Sequence, residues 1–255
     1  MTSITHHDIK PLRRFNVVAG LLHLLSLVGV LALANDFSLP ITATYMTGAP
    51  GTTFAAPIVL FNTPVAYTVA IFLALSAFFH FLVASPGNFN RYTNSLLRNI
   101  NIYRWVEYSI SSSIMIILIV QLCGVTDVAA IVAIFGVNAS MILFGWLQEK
   151  YSRPGDGQWI SFIFGCIAGA IPWLIIILLL IGPKAPAESN APGFVYGIVI
   201  SLFLFFNCFA WVQYKQYKAQ GKWSNYLKGE RAYIVLSLVA KSALAWQIFG
   251  GTLAG

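Results

Sequence analysis

The stretch from Ala232 to Phe249 reads AYIVLSLVAKSALAWQIF, a mostly apolar run with a lysine, Lys241, at its middle. At 1.5 Å per residue such a run crosses most of a ~30 Å hydrocarbon layer. A lone ammonium at that depth costs at least ~2.5–3.5 kcal/mol, so Lys241 calls for a partner. The rest of the chain says that the layer is there. Its 255 residues are 58% hydrophobic and only 9% charged, whereas a soluble domain carries ~25% charged residues.

Working outward from Lys241, seven runs are long enough to span: Phe15–Ala34, Pro64–Ala84, Asn101–Cys123, Val128–Leu147, Trp159–Ile181, Gly193–Tyr214 and Arg231–Gly250. The expectation is an all-α membrane protein, a single seven-transmembrane-helix bundle over residues 1–255, with 1–14 a polar tail and 35–63 an outer loop. The third and fourth runs are separated only by Gly124–Asp127, which suits antiparallel neighbours. The run after Arg14 is too long for a typical signal-peptide core and lacks an obvious small-residue cleavage site, so it reads as a retained helix. Ile41–Thr47, a turn at Gly48–Gly51 and Thr52–Val59 read as a β-hairpin in the outer loop.

Basic residues orient the bundle. Lys10, Arg13, Arg14, Arg91, Arg98, Arg104, Lys150, Arg153, Lys215, Lys218, Lys222, Lys228 and Arg231 fall on one side, thirteen of the fifteen. Lys184 alone is opposite. By the positive-inside rule the chain sits in the cell membrane as a multi-pass protein with a cytoplasmic N-terminus and an extracellular C-terminus. The net charge of +7 is therefore a topology signal and does not point to nucleic acid. The loop lysines 215 to 228 are explained by topology, while leaving room for an unknown cytoplasmic signalling partner. Cys123, Cys166 and Cys208 have neither zinc nor disulfide spacing and read as small packing residues. No nucleophile–base motif supports an enzyme.

Glu107 is the one carboxylate read as deep in a span; Asp8, Asp36, Asp127, Glu149, Asp156, Glu188 and Glu230 lie in the tail, loops or helix ends. Glu107 is nine residues past Arg98, ~13 Å in, and Lys241 ten past Arg231, ~15 Å in, on spans that start from the same side. The plain reading is a buried ion pair that fixes packing. The sharper one uses chemistry specific to lysine: an amine in an apolar pocket deprotonates readily and condenses with an aldehyde, and the protonated product still needs an anion. Ser237, one turn before Lys241, can hydrogen-bond the same centre. Tyr108, Ser112 and Met115 form a stripe beside Glu107, and the sixth span adds Phe203, Phe205, Phe206 and Phe209. Such stripes are usually only packing; here they suit a long apolar conjugated ligand.

Seven helices, a lysine midway along the last, and Arg104-Trp105-Val106-Glu107-Tyr108 on the third resemble the microbial rhodopsins. In that family the third helix carries an arginine, then the Schiff-base counterion, then an aromatic residue touching retinal; Arg104, Glu107 and Tyr108 match those places and Lys241 matches the retinal-bearing lysine. Ser237 stands where ordinary members have a second carboxylate, and Leu118 where proton pumps have a donor. With the inverted topology, these departures resemble the heliorhodopsins. The resemblance implies all-trans retinal, a homodimer, and a photoreceptor with a slow photocycle, mostly without ion transport. It also implies a pocket of Tyr108, Ser112, Met115, Asn138, Met141, Ile142, Gly145 and Phe206. His23 and His80 lie ~13 and ~16 Å deep, level with the charged pair. Each is either a hydrogen-bonded core histidine or, with Arg104, part of a polar cytoplasmic cavity that takes the proton. Gly165 and Gly169 mark either a dimer face or close packing within the bundle. Two other readings remain: a light-driven pump or channel, and a retinal-free receptor or transporter.

Overall fold

A computed structural model describes residues 6–182 and 191–253, with side chains for 8–182 and 191–252. Lys184 and the side chains of His6 and His7 fall outside the described residues. The elements in order are α1 (His6–Ala32), β1 (Ser38–Ala43), β2 (Ile58–Pro64), α2 (Val65–Ala84), α3 (Pro86–Leu97), α4 (Ile102–Leu122), α5 (Val128–Tyr151), α6 (Ile160–Leu180), α7 (Gly193–Lys218) and α8 (Tyr226–Ile248). Every helix but α3 is long and apolar enough to cross a membrane, which makes seven spans among the described residues.

Helix starts follow the chain's own capping groups. Asn101 accepts from the Arg104 amide at the head of α4, Asp127 from the Ala129 and Ala130 amides at the head of α5, and Asn225 from the Leu227 amide at the head of α8. These caps satisfy donors that a first turn leaves open. Gly124 at φ +101° supplies the left-handed turn that lets α4 reverse into α5 within a few residues.

Sequence neighbours pack side by side, α1 on α2, α2 on α4, α4 on α5, α5 on α6 and α7 on α8, and α8 closes the ring against α1. The fully buried layer toward the hairpin end is apolar: Ile116, Leu118, Ile119 and Val120 on α4 meet Phe72 and Leu73 of α2 and Leu244, Ala245 and Ile248 of α8. Large apolar side chains on the outer faces remain exposed, as a lipid solvent allows.

Three expectations shift. α1 and α7 extend beyond the apolar runs into the basic end, and α8 begins at Tyr226 rather than Arg231. The loop after α2 holds a twelve-residue helix, α3, with Tyr92 and Leu96 buried; its apolar positions are too few to register as a span. The hairpin is present, but its strands lie nearer the helices, Ser38–Ala43 against Ile58–Pro64 antiparallel. Thr42 bonds both backbone and side chain to Thr126 of the α4–α5 turn. That tertiary anchor fixes the ladder at the base, and only a Met46–Phe54 bridge continues it toward the tip.

Candidate functional site

α8 carries Lys241 into the bundle interior, 3% exposed, and α4 brings Glu107 to meet it. Lys241 Nζ lies 2.6 Å from Glu107 Oε1, 2.6 Å from Ser76 Oγ and 3.0 Å from Ser237 Oγ. Ser76 Oγ in turn lies 2.7 Å from Glu107 Oε1 and donates to it. The cation is thus held by one anion and two hydroxyls, and the Tyr108 ring centroid stands 5.1 Å from Nζ. Ser237 falls in place because i and i+4 share a helix face. Ser76 was not found from the sequence. Its position one turn before His80, on the same face of α2, was the available signal.

Beside the amine lies a cavity of about 460 Å³, walled by α4 to α8. Its lining includes Lys241, Ser237, Tyr108, Ser112, Met115, Met141, Ile142, Gly145, Phe206 and Phe209, all expected, and Trp105, Trp173 and Tyr233, which were not. Asn138 stands one layer behind, where its amide donates to Ser112 and Ser113. Gly145 is a glycine for a steric reason: a Cβ there would meet the Trp105 ring at 2.5 Å. Gly165 and Gly169 face Met141 of α5, so the pair serves close packing within the bundle.

On the opposite side of the pair a cavity of about 40 Å³ is lined by Glu107, Ser76, His80, Arg104, Asn16 and Glu230 among others. His80 Nδ1 pairs with Asn16 Oδ1 at 2.8 Å, and His23 stacks on His80 with centroids 5.5 Å apart. Both His23 ring nitrogens are buried with no partner among the described residues. Most buried ring nitrogens are paired, so the unmet pair on His23 sets it apart from the hydrogen-bonded His80.

The reading of Glu149 and Glu230 as ordinary helix-end carboxylates needs correction. Both are buried, and both converge on Arg104: Glu149 Oε1 at 2.6 Å, Glu230 through a direct ion pair. Trp105 and the Asn101 amide donate to Glu149, and Tyr226 donates to its other oxygen. The Asn101 side chain and Tyr92 donate to Glu230. Burial, reinforced by the Glu230 charge, pushes the Tyr92 hydroxyl well above its ordinary value, so it stays a donor. Linear distance from the helix ends hid this cluster; Tyr92 of α3 and Tyr226 at the head of α8 close over it.

The family model described as Heliorhodopsin matches residues 12–253. Curated protein sequences give no match. Among solved structures, the transmembrane domain of the Salpingoeca rosetta rhodopsin phosphodiesterase is similar, with a TM-score of 0.70 at 12% identity over 98% of this chain and 87% of that one. A second structure of that domain with its linker region gives 0.66 at 11% identity, covering 96% and 80%. At these identities the likeness speaks to the fold alone.

Proposed function

The chain belongs to the heliorhodopsin family, retinal-binding microbial rhodopsins of seven spans, and on that premise we propose that it is a light sensor whose retinal is all-trans and joined to Lys241, with Glu107 as counterion. The observation that carries this is the Lys241 amine 2.6 Å from a single buried carboxylate at the wall of a largely apolar cavity. The cavity fits the group. Its volume of about 460 Å³ is in the range of small-ligand sites, ~300–1,000 Å³, and its walls follow α6 from Phe162 to Ile177, ~22 Å, enough for a long polyene. Bound retinal supplies a light-absorbing polyene condensed with the Lys241 amine, water being lost.

The chain's own residues do the rest. Glu107 balances the positive nitrogen, and Ser76 holds the carboxylate by donating to it. A nitrogen with a single remaining proton donates to one acceptor at a time, so Glu107, Ser76 and Ser237 form a choice of three. Tyr108 is held by its hydroxyl, which donates 2.9 Å to the Tyr233 carbonyl, and thereby fixes the ring beside the amine. His23 and His80 stand on the side away from the large cavity, where a proton leaving the site can be held.

Absence of transport is part of the proposal. Its support is the apolar layer of Ile116, Leu118, Ile119, Val120 and Leu244, all 0% exposed, between the charged pair and the hairpin end; a pump needs proton sites on both sides of the centre. With the basic end cytoplasmic, a released proton stays on the inner side and returns there, and the photon drives a slow change of shape. The family also motivates a homodimer, which cross-linking in membranes tests. Members of this family are generally not enzymes.

Reconstitution with all-trans retinal tests the central reading. A visible band should form and should vanish in Lys241→Ala; a band that survives, or none in the wild type, defeats it. An uncoupler-sensitive pH change on illuminating cells would overturn the transport-free part and favour a pump.

A further inference from the structure

The large cavity reaches the lipid. Along the seam between α6 and α7 its walls include Cys166, Ala170, Leu174, Phe203 and Asn207, and each of these is exposed on the outer surface of the bundle. Two aromatic clasps bracket this mouth. At one end Trp173 packs on Phe203 and Phe206, with centroids 5.2 and 5.6 Å apart. At the other, toward the basic end, Trp159 and Phe162 pack on Tyr214 at 5.3 and 6.4 Å. Between the clasps the facing residues are small, Gly165, Gly169 and Ala170 on α6 and Ala210 on α7, which leaves the gap open.

One stripe of α7 runs from the mouth to the end of the span. Phe203, Asn207, Trp211, Tyr214 with Lys215, and Lys218 recur every three or four residues and share one face. At its last turn the Trp211 and Tyr214 rings stack at 5.7 Å. Lys215 Nζ stands 4.7 Å from the Trp211 ring centroid. Lys218 Nζ lies 3.2 Å from Tyr214 Oη and 5.5 Å from its ring centroid. Among the described residues no carboxylate lies within ion-pair distance of either lysine. Tryptophan and tyrosine at the end of a span sit at headgroup level. Two ammonium groups pinned on their rings, without a protein anion, complement a phosphate there.

From this juxtaposition we infer that the α6–α7 seam is a binding site for an anionic phospholipid, its headgroup phosphate on Lys215 and Lys218 and one acyl chain lying along Trp211 and Asn207 across the cavity mouth. Lys215 precedes the depth of Asn207 by eight residues, ~12 Å along the helix, well within the reach of an acyl chain. The lipid is both ligand and stopper: it covers apolar cavity wall that otherwise faces mobile bilayer. The site stands whether or not the cavity holds a chromophore.

Tryptophan fluorescence tests it on the whole protein in vesicles of phosphatidylcholine and phosphatidylglycerol at one fixed ratio, with bromine on the acyl chains of only one lipid at a time. Brominated phosphatidylglycerol should quench about tenfold more effectively per molecule at low occupancy, the preference expected of two lysines near an anionic headgroup. Lys215→Gln with Lys218→Gln should bring the ratio near one, while Lys10→Gln with Lys222→Gln, an equal loss of charge at the same end, should keep it. Trp211→Phe should remove the preferential part of the signal. Equal quenching by the two lipids in the wild type overturns the site without any variant. A preference that survives the 215/218 change, or falls equally in the control, overturns it as well.

Discussion

Two buried charge clusters lie one helical turn apart on α4, and they are built on opposite plans. Around Lys241 one amine meets one carboxylate, with two serine hydroxyls as the other partners and a large cavity alongside. Around Arg104 one guanidinium meets two carboxylates, and aromatic and amide donors fill nearly every remaining acceptor. The difference follows from the cations. Guanidinium is planar, permanently charged and forked, suited to holding parts together; an amine loses its proton in apolar surroundings and can form a covalent bond. The contrast separates a cluster that locks α4, α5 and α8 from one that is poised for chemistry.

The largest effect should come from Arg104→Gln, which strands two buried carboxylates. Loss of about 3–5 kcal/mol of stability is expected, read from denaturation in detergent or bicelles, with the visible band of surviving protein little moved. A spectral shift as large as that of a counterion change would erase the distinction between the clusters. Glu107→Gln should do the reverse: it removes the anion beside the nitrogen, so the band shifts strongly while the Arg104 cluster stays intact. An unshifted band would mean that the counterion lies elsewhere. Glu149→Gln sharpens the comparison further. Arg104 keeps Glu230, so the cost should be within about 1–2 kcal/mol, below that of removing the arginine.

Tyr92→Phe should give the smallest change, about 1 kcal/mol at neutral pH, since it deletes one hydrogen bond to Glu230. Its pH dependence has a definite sign. The folded-state pKa is raised above the ordinary value of 10.0, so the stabilisation is complete below that pH and fades as pH rises toward the folded value. The stability gap between wild type and Tyr92→Phe should hold steady near neutrality and narrow above about pH 10. A gap that widens in alkali would mean that the hydroxyl is already ionised there.

How much of the site could be read in advance depended on where the information lies. Lys241, Glu107 and Ser237 were legible because a charge in an apolar run is costly wherever the run folds, and because i and i+4 positions on one helix share a face. Ser76 and the Glu149–Glu230 pair were not legible in the same way. A serine in a membrane span has many uses, and carboxylates near helix ends are ordinarily solvated. What changed their meaning was burial by distant elements: α3 contributes Tyr92, and α8 contributes its first residue, Tyr226.

By itself the sequence determined the seven spans, the hairpin between the first two and the presence of one amine and one acid at matching depth, since hydrophobic length, turn residues and the cost of buried charge are properties of the chain in any lipid. Only the tertiary structure decided which hydroxyls meet the amine, which carboxylates share the arginine, and that the α6–α7 seam stays open beside the cavity. Those choices turn on side-chain volumes across helix contacts, such as Gly145 against Trp105 and Gly169 against Met141, and steric fit between elements distant in sequence exists only once they have packed.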